Sequence, residues 1–399
     1  MESTKKTNEI SSKETKRRPI VRRGEARDHV SDLLQGSLHV KRIGALADAT
    51  AGALHASKLA VAAIGAGLAF SAGLNTKHAT KQVDRTLSNR EIEVWRLFEK
   101  WVPFVVSVRK EILVAMDWTE FDRDGHSTIA IYQIASHGRA TPLVWKSHRK
   151  ADLASGGRTR AEDELLARLE QCLPDDVQVT VLADRGFGDK ALFQMLDDWG
   201  WRYVIRLKKS VTVTPDGAAP QAAGELLLPS GRAKLYRNVT LTKEDFPLPS
   251  FVAVRAKKMK DPWLLASNKE ATGATELVKL YGKRFRIEET FRDQKDSRFG
   301  FGLADTRVRS PERRDRLLLV FALGYSLVVL LGAAGEACGL DRMLKINTVK
   351  TRTMSLFNQG SFWFDALPNM PEERANRLLD AYEKVIHQHE TVHHILAVL

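Results

Sequence analysis

Residues 276–295, ELVKLYGKRFRIEETFRDQK, contain no proline and one glycine, which predicts a single continuous helix. At roughly 100° per residue, four polar side chains fall on a stripe about 60° wide: Tyr281, Arg284, Glu288 and Lys295. Three apolar residues form a neighbouring stripe: Leu280, Ile287 and Phe291. We expect this helix to pack through its apolar edge and to direct a carboxylate, two cations and a phenol into a cleft. A solvated charged face would show the same pattern.

Two more carboxylates each follow a strand-like apolar run. Asp117 follows ILVAM, and Asp184 follows VQVTVLA and precedes RGFG. Polar residues at the ends of buried strands lie where α/β proteins usually place their sites. An aspartate that caps the next turn or helix is the simpler alternative for each position. If the three acids meet, they offer the hard oxygen ligands that Mg²⁺ prefers, and the adjacent cations suit phosphate groups.

These residues together resemble a known family. The pattern Y-x2-R-x3-E-x6-K from Tyr281 to Lys295 resembles the signature of DDE transposases of the IS-four insertion-sequence family, which includes the Tn-five transposase. MDWT at 116–119 and LADRGF at 182–187 resemble that family's first and second aspartate motifs. SHGRATPL at 136–143 resembles its second and third strands. The resemblance extends over roughly residues 74–359.

The resemblance implies an α/β fold, with a ribonuclease-H-like catalytic core, a β-rich insertion and a preceding all-helical DNA-binding domain. It implies a cut-and-paste transposase that cleaves insertion-sequence ends and joins them to target DNA by two-metal phosphoryl transfer. Asp117, Asp184 and Glu288 would bind two Mg²⁺ ions, with Mn²⁺ as a substitute. A hairpin intermediate rests on the resemblance alone. An inactive, sequence-specific DNA-binding protein and a structure-specific nuclease are the competing interpretations.

The resemblance also assigns DNA contacts. Tyr281, Arg284 and Lys295 would hold the phosphate at the 5′ end of the cleaved DNA, with arginine as a bidentate donor and lysine as a point charge. Trp263 would receive a base flipped out of the hairpin, although large aromatics more often serve packing. The implied partners are double-stranded DNA, as terminal inverted repeats and as target, and a second copy of the chain in a synaptic complex.

Composition agrees with a polyanionic partner. The 399-residue chain has a formal net charge of +13 and a pI of about 9.7. Cys172 and Cys338 are its only cysteines, which excludes a disulfide framework and fits a reducing bacterial cytoplasm, with the protein associated with the nucleoid. Residues 1–25 do not resemble a signal peptide. Residues 317–334 lack charges but follow Ser310 and Pro311, a helix N-cap and first-turn pair, so we predict a buried helix and no membrane partner.

The chain divides into five predicted parts. Residues 1–25 form a basic disordered tail, and residues 26–105 form a helical domain with a helix-turn-helix around Gly73. Three cations on its second helix are assigned to DNA: Lys77, Lys81 and Arg85. An ordinary α-hairpin is the alternative there. Residues 106–209 and 268–345 form the catalytic core, residues 210–267 the β-rich insertion, and residues 346–399 a helical region with a dimerisation role.

Local patterns predict the core elements. Strands are expected at about 111–119, 127–136 and 140–146, with Asp124 and Gly125 turning the first hairpin. A helix at 160–172, a strand ending at Asp184, a helix at 189–199 and a strand at 203–208 follow. In the insertion, alternation predicts strands at 234–241 and 251–255. Four histidines near the C terminus, namely His387, His389, His393 and His394, are interpreted as a helix surface rather than a metal site.

Overall fold

The computed structural model describes residues 23–241 and 245–387. The predictions for the basic tail up to residue 22, and those for His389, His393 and His394, fall outside these residues. Within them, the mixed α/β chain forms a ten-stranded sheet, which is preceded by a helical region.

Five helices precede the sheet: α1 Arg23–Leu34, α2 Val40–Ala56, α3 Val61–Ala72, α4 Thr76–Ser88 and α5 Val94–Val106. Glycines allow α3 to approach α2 and α4 closely, because a methyl group at Gly67 would lie 2.2 Å from the Gly52 carbonyl oxygen and one at Gly65 would lie 2.3 Å from Thr80 Oγ1. Gly73 ends α3 with φ +64°, a conformation that favours glycine. The Asn75 side chain then caps α4 by accepting from Lys77 N at 3.0 Å. The predicted helix, turn and second helix are therefore present.

The strands are β1 Glu111–Phe121, β2 His126–Ile134, β3 Ala140–Arg149, β4 Gln178–Ala183, β5 Arg202–Arg206, β6 Thr212–Thr214, β7 Gln221–Ala222, β8 Lys234–Leu241, β9 Phe246–Val254 and β10 Trp263–Ser267. Their order is β3-β2-β1-β4-β5-β10-β9-β8-β6-β7. β1, β4 and β5 run parallel, and the other neighbours are antiparallel. The predicted core strands are confirmed, and their ends lie within three residues of the predicted positions. Gly125, at φ +62°, turns the first hairpin as predicted.

The segment predicted as a β-rich insertion extends the same sheet. β10 pairs with β5 at Leu265↔Arg206 and with β9 at Trp263↔Val254. β8 then joins β9, so the backbone hydrogen bonds are continuous from the parallel strands into the insertion. This continuity fixes the position of Trp263 relative to the end of β5.

The later helices are α6 Gly157–Cys172, α7 Lys190–Asp198, α8 Ala274–Gly282, α9 Phe285–Lys295, α10 Pro311–Ala337, α11 Leu356–Ala366 and α12 Glu372–His387. α10 packs on β3, α2, α11 and α12. It is the one described helix long and apolar enough to cross a membrane, but 94% of its apolar window is buried within the protein; α2 and α3 pass the same test only as a pair bent by 96°. Ser310 caps α10 by accepting from Arg313 N at 3.3 Å. The prediction of a buried helix is confirmed.

The prediction of one continuous helix over residues 276–295 is wrong. α8 ends at Gly282 and α9 begins at Phe285. Between them, short-range bonds replace the regular helical ladder: Arg284 N donates to Tyr281 O at 2.9 Å and Ile287 N to Arg284 O at 3.0 Å. Glycine is the least favourable non-proline residue in a helix, so the break falls beside Gly282 at low cost.

Candidate active site

The parallel pairing of β1 and β4 brings two of the predicted acids together. Met116 pairs with Ala183, so the next residues, Asp117 and Asp184, lie side by side at the end of β4. Trp118 N donates to Asp117 Oδ1 at 2.9 Å. The Asp117 side chain is 22% exposed and that of Asp184 is 33% exposed. Both carboxylates are therefore partly open to solvent.

Arg284 connects the third acid to the first. Its Nη1 donates to Asp117 Oδ2 at 3.0 Å, and its Nη2 donates to Glu288 Oε1 at 2.6 Å. The Arg284 side chain is only 5% exposed, whereas that of Glu288 is 48% exposed. One guanidinium group therefore lies between the two carboxylates and neutralises part of their combined charge.

Asp184 has two further partners. The Tyr281 hydroxyl donates to Asp184 Oδ1 at 3.2 Å, and Arg206 Nη1 lies 3.4 Å from the same oxygen. Arg206 was not identified from the sequence. It follows Ile205, which pairs with Ala183 in the parallel register, so the order of the strands places it beside Asp184. A polar residue at the end of the Tyr203-Val204-Ile205 run was the available signal.

The two aspartates differ electrostatically. Burial raises the pKa of Asp117 above its ordinary value, and the nearby Arg284 charge and the Trp118 N–H offset this only in part. Burial also acts on Asp184, but the Arg185 backbone N–H and the charges of Arg284 and Arg206 outweigh it and lower the pKa of that carboxyl. Asp184 is the more strongly ionised member of the pair.

Tyr281 and Lys295 donate hydrogen bonds to residues on or beside the two strands that precede Asp184 and carry Asp117. Burial raises the pKa of the Tyr281 phenol, so this group stays protonated and can donate a hydrogen bond. Lys295 Nζ donates to Thr119 Oγ1 at 3.2 Å and to Glu120 O at 3.1 Å, and burial lowers the pKa of this amine. An open groove of about 440 Å³ is lined by residues that include Asp117, Glu288 and Lys295.

The four polar residues predicted on one helix stripe remain close to the two aspartates despite the helix break. Tyr281 on α8, Arg284 at the break, and Glu288 and Lys295 on α9 all contact or face the β1 and β4 ends. Tyr281 and Arg284 are buried, however, rather than open in a cleft as predicted. Arg284 could contact a phosphate group only after it releases Asp117 and Glu288.

The carboxylates of this site suit a metal ion, provided that Arg284 moves away from them. Within residues 23–241 and 245–387, no three acid, histidine or cysteine side chains are close enough, as placed, to form a metal-binding group. Yet Asp117 and Glu288 both direct an oxygen at one cation, the Arg284 guanidinium. Carboxylate oxygens are the ligands that Mg²⁺ prefers. Asp117 and Glu288 thus converge on a positive charge, and Arg284 would have to move for a metal ion to take its place.

Trp263 lies next to this site. Its ring makes an edge contact with Tyr281 at 4.9 Å between centroids and stacks on Phe285 at 5.9 Å. Trp263 is half-buried, and Phe285 is exposed. The side chain is therefore neither a fully buried core residue nor a free surface ring, and it touches the residue that donates to Asp184.

Buried polar contacts hold α9 against the sheet. Arg139 Nε donates to Asp293 Oδ2 at 2.5 Å, and Thr290 Oγ1 donates to Ala140 O at 2.9 Å. Ala140 N donates back to Thr290 Oγ1 at 3.0 Å. The sequence had shown Arg139 only as part of a motif, because its partner lies far along the chain. These bonds fix the helix that carries Glu288.

The predicted DNA-contacting cations of the helical region lie on one face of α4. Lys77, Lys81 and Arg85 are exposed at successive four-residue spacings. Ala79 and Val83 are buried on the opposite face. The basic face of α4 is thus exposed to solvent.

The family model described as the transposase DDE domain matches residues 109–327, which is more than half of the chain. The matched segment contains the three acids as well as Trp263, Tyr281, Arg284 and Lys295, and it begins after α5. No curated protein matches the chain.

Proposed function

The chain belongs to the transposase DDE domain family, and on this basis we propose that it is a cut-and-paste DNA transposase of the IS-four type. It would cleave insertion-sequence ends and join them to target DNA. The observation that carries the proposal is the convergence of Asp117 and Glu288 on Arg284, with Asp184 beside Asp117. A protein that only binds DNA has no need for three acids near phosphates that they repel.

The proposal includes a ribonuclease-H-like core. β1, β2 and β3 form an antiparallel meander, and β4 and β5 add in parallel after helices. The core would comprise residues 106–209 and 268–345, with residues 210–267 as its insertion. Residues 1–25 would be a basic tail, residues 26–105 a DNA-binding domain, and residues 346–399 a dimerisation region.

Asp117, Asp184 and Glu288 would hold two Mg²⁺ ions, or Mn²⁺ in their place. Metal ions there would activate the attacking water or 3′-hydroxyl and stabilise charge on phosphorus and on the leaving oxygen. The raised pKa of Asp117 and the lowered pKa of Asp184 give the acids different proton affinities. Metal binding would be more sensitive to the protonation of Asp117 than to that of Asp184.

The protein's own cations would position the DNA. On release from the acids, Arg284 offers a bidentate fork for the phosphate at the 5′ end of the cleaved strand. Tyr281 would donate a hydrogen bond to that phosphate, and Lys295 would add a point charge. The freed 3′-hydroxyl would then attack the opposite strand to form a hairpin, and Trp263 would stack on a base at its turn.

Recognition of the terminal inverted repeats is assigned to α4, through the exposed Lys77, Lys81 and Arg85. Two copies of the chain would bring two DNA ends together in a synaptic complex before strand transfer. We place this activity on the nucleoid in the bacterial cytoplasm.

The proposal is tested by incubating the full chain with DNA that carries its element ends and Mg²⁺, and sizing the products on denaturing and native gels. A transposase produces nicks, then hairpins, then joined products. Specific binding without any cleavage would instead identify a catalytically inactive DNA-binding protein. Cleavage without joining, directed by DNA structure rather than by the element end, would identify a nuclease.

A further inference from the structure

A loop rich in positive charge connects β9 and β10. Residues 255–262 have the sequence RAKKMKDP. Four cations within it are exposed: Arg255, Lys257, Lys258 and Lys260. None of the four forms an ion pair with another residue in the described ranges. We call residues 255–260 the basic loop. Its charges are available to a ligand, whereas most arginines near the acids are already paired.

The sheet register places the basic loop at the same edge as the acids. Ala183 pairs with Ile205, Ile205 with Ala266, and Ala266 with Phe251. By this register, Asp117, Arg206 and Leu265 lie in one row across the sheet. Trp263 and Val254 lie two residues beyond that row. With strands about 4.8 Å apart and a rise of about 3.3 Å per residue, the two ends of the β9–β10 connection lie roughly 12–17 Å from Asp184. That distance is only about four or five nucleotide steps along one DNA strand.

Direct contacts attach the base of the loop to the site. Arg206, which lies beside Asp184, donates from Nη2 to Pro262 O at 3.0 Å. Asp261 Oδ2 lies 3.9 Å from Arg206 Nη2 and 3.9 Å from Arg185 Nη1. Asp261 follows the loop directly in the chain, and the two arginines near its carboxylate reduce its repulsion of a phosphate. Arg206 therefore contacts both Asp184 and the residue that connects the loop to Trp263.

The loop has a defined turn rather than an extended course. Met259 N donates to Ala256 O at 3.0 Å. Lys258 within this turn has φ +78°, a left-handed conformation that lysine rarely adopts. Such a conformation is kept only where the surrounding structure imposes it. Lys257 and Lys258 are thus held at the exposed tip of the turn.

From this placement we propose that the basic loop binds the sugar–phosphate backbone of the DNA end that is cut at the acids. The inference rests on the proposed transposase function and names a substrate surface for it. Lysine ammonium groups bind phosphate as point charges and do not distinguish bases, so the contact is independent of sequence. It would offset the repulsion between DNA and the three carboxylates and would hold the strand as it passes Trp263.

The test measures DNA affinity against salt for the full chain without divalent metal, using a short labelled duplex of random sequence. The variant Lys257→Gln/Lys258→Asn/Lys260→Gln removes three charges, and asparagine tolerates the left-handed backbone at position 258. Each phosphate contact contributes about 0.9 to the slope of log affinity against log salt. We expect the slope to fall by about 2–3 in magnitude, and the charge-keeping Lys257→Arg/Lys260→Arg variant to retain it.

The matched control removes three cations from the opposite edge of the sheet. Lys110 precedes β1, Arg202 begins β5, and Lys269 follows β10. The control variant Lys110→Gln/Arg202→Gln/Lys269→Gln has the same net charge as the loop variant and should keep the wild-type slope. Equal slopes for the two triple variants would overturn the proposal, because the effect would then follow net charge rather than position. An unchanged slope in the loop variant would also overturn the proposal and would favour an acidic protein as the partner of the loop.

Failure of this inference and failure of the proposed function can be told apart. The slope is measured without metal and does not depend on cleavage. If the wild-type protein cleaves element ends while the loop variant keeps its slope, the loop proposal falls and the transposase proposal stands. If the loop variant changes the slope but the wild-type protein does not cleave element ends with metal, the loop proposal stands and the transposase proposal falls.

Discussion

Asp117 and Glu288 are joined through a single guanidinium group, since Arg284 donates to both across 3.0 and 2.6 Å. This bridge holds α9 against β1 and keeps two carboxylates from repelling each other. It also occupies the position between the acids that a divalent cation would need. Binding of metal at these acids and release of Arg284 toward DNA are therefore coupled steps in our account.

The first prediction follows from that coupling. Arg284→Gln should raise the affinity of the DNA-free protein for Mn²⁺ by about tenfold or more, because a positive charge beside the acids is removed. Titration calorimetry measures the affinity directly. Arg286→Gln is the matched control, because Arg286 lies two residues later, in the first turn of α9, but donates to Ala135 O instead of to an acid. Equal or weaker Mn²⁺ binding in Arg284→Gln would show that the bridge does not compete with metal.

The second prediction concerns pH, measured without divalent metal. The folded pKa of Asp117 is raised by burial above 3.8, so ionisation of this group costs stability as the pH rises through 3.8 and then through the raised pKa. The pKa of Asp184 is lowered, so its ionised form stabilises the fold above 3.8 and this contribution is lost as the pH falls through the lowered value.

Urea unfolding of the wild type, Asp117→Asn and Asp184→Asn at a series of acidic pH values tests both predicted changes of stability with pH. Relative to the wild type, Asp117→Asn should gain stability as the pH rises, and Asp184→Asn should lose it. The same trend in both variants would contradict the assignment of opposite shifts.

The third prediction concerns the reaction step at which Lys295 acts. Lys295→Ala should lower hairpin formation and strand transfer more than first-strand nicking, because Lys295 contacts Thr119 and the Glu120 carbonyl but no catalytic acid. Product sizes on denaturing gels report each step. Lys283→Ala, an exposed lysine at the helix break, serves as the control. If nicking falls as far as the later steps, Lys295 does not act on the 5′ phosphate.

The local sequence placed Asp184 correctly after a strand, because an apolar run and the polar residue after it are adjacent in the chain. Asp117, in contrast, lies within β1, which continues to Phe121. The local sequence could not place Arg206 beside Asp184, since that contact depends on which strands become neighbours. The buried Arg139–Asp293 pair is likewise invisible without the fold. The sequence also placed a cation near the acids, but its position between them requires α9 to be docked on β1.

The helix over residues 276–295 shows the limit of periodicity. The angular pattern placed Tyr281, Arg284, Glu288 and Lys295 on one side, and they do contact or face one region of the site. The pattern could not reveal the break after Gly282, because a single glycine is tolerated in many helices. Tertiary contacts there, including the edge contact of Trp263 on Tyr281, exist only in the folded chain.

The fourth prediction concerns Trp263. Because the side chain is half-buried, Trp263→Ala should cost less than the roughly 3–5 kcal/mol lost when a fully buried Trp is truncated. It should slow hairpin formation while nicking continues, since base stacking is worth about 1–3 kcal/mol. Trp263→Phe retains a ring and should recover part of the hairpin rate. A large loss of unfolding free energy, with all catalytic steps reduced together, would assign Trp263 to packing.

The most direct test of the account is cleavage of element-end DNA by Glu288→Ala beside its neighbour variant Glu289→Ala. Glu288 contacts Arg284 at the site, whereas Glu289 pairs with Arg292 on the same helix. We expect Glu288→Ala to lower Mg²⁺-dependent cleavage to below about one per cent of the wild-type rate while DNA binding is kept or strengthened. Glu289→Ala should cleave at close to the wild-type rate. Substantial cleavage by Glu288→Ala, or equal loss in both variants, would contradict a catalytic site built from Asp117, Asp184 and Glu288.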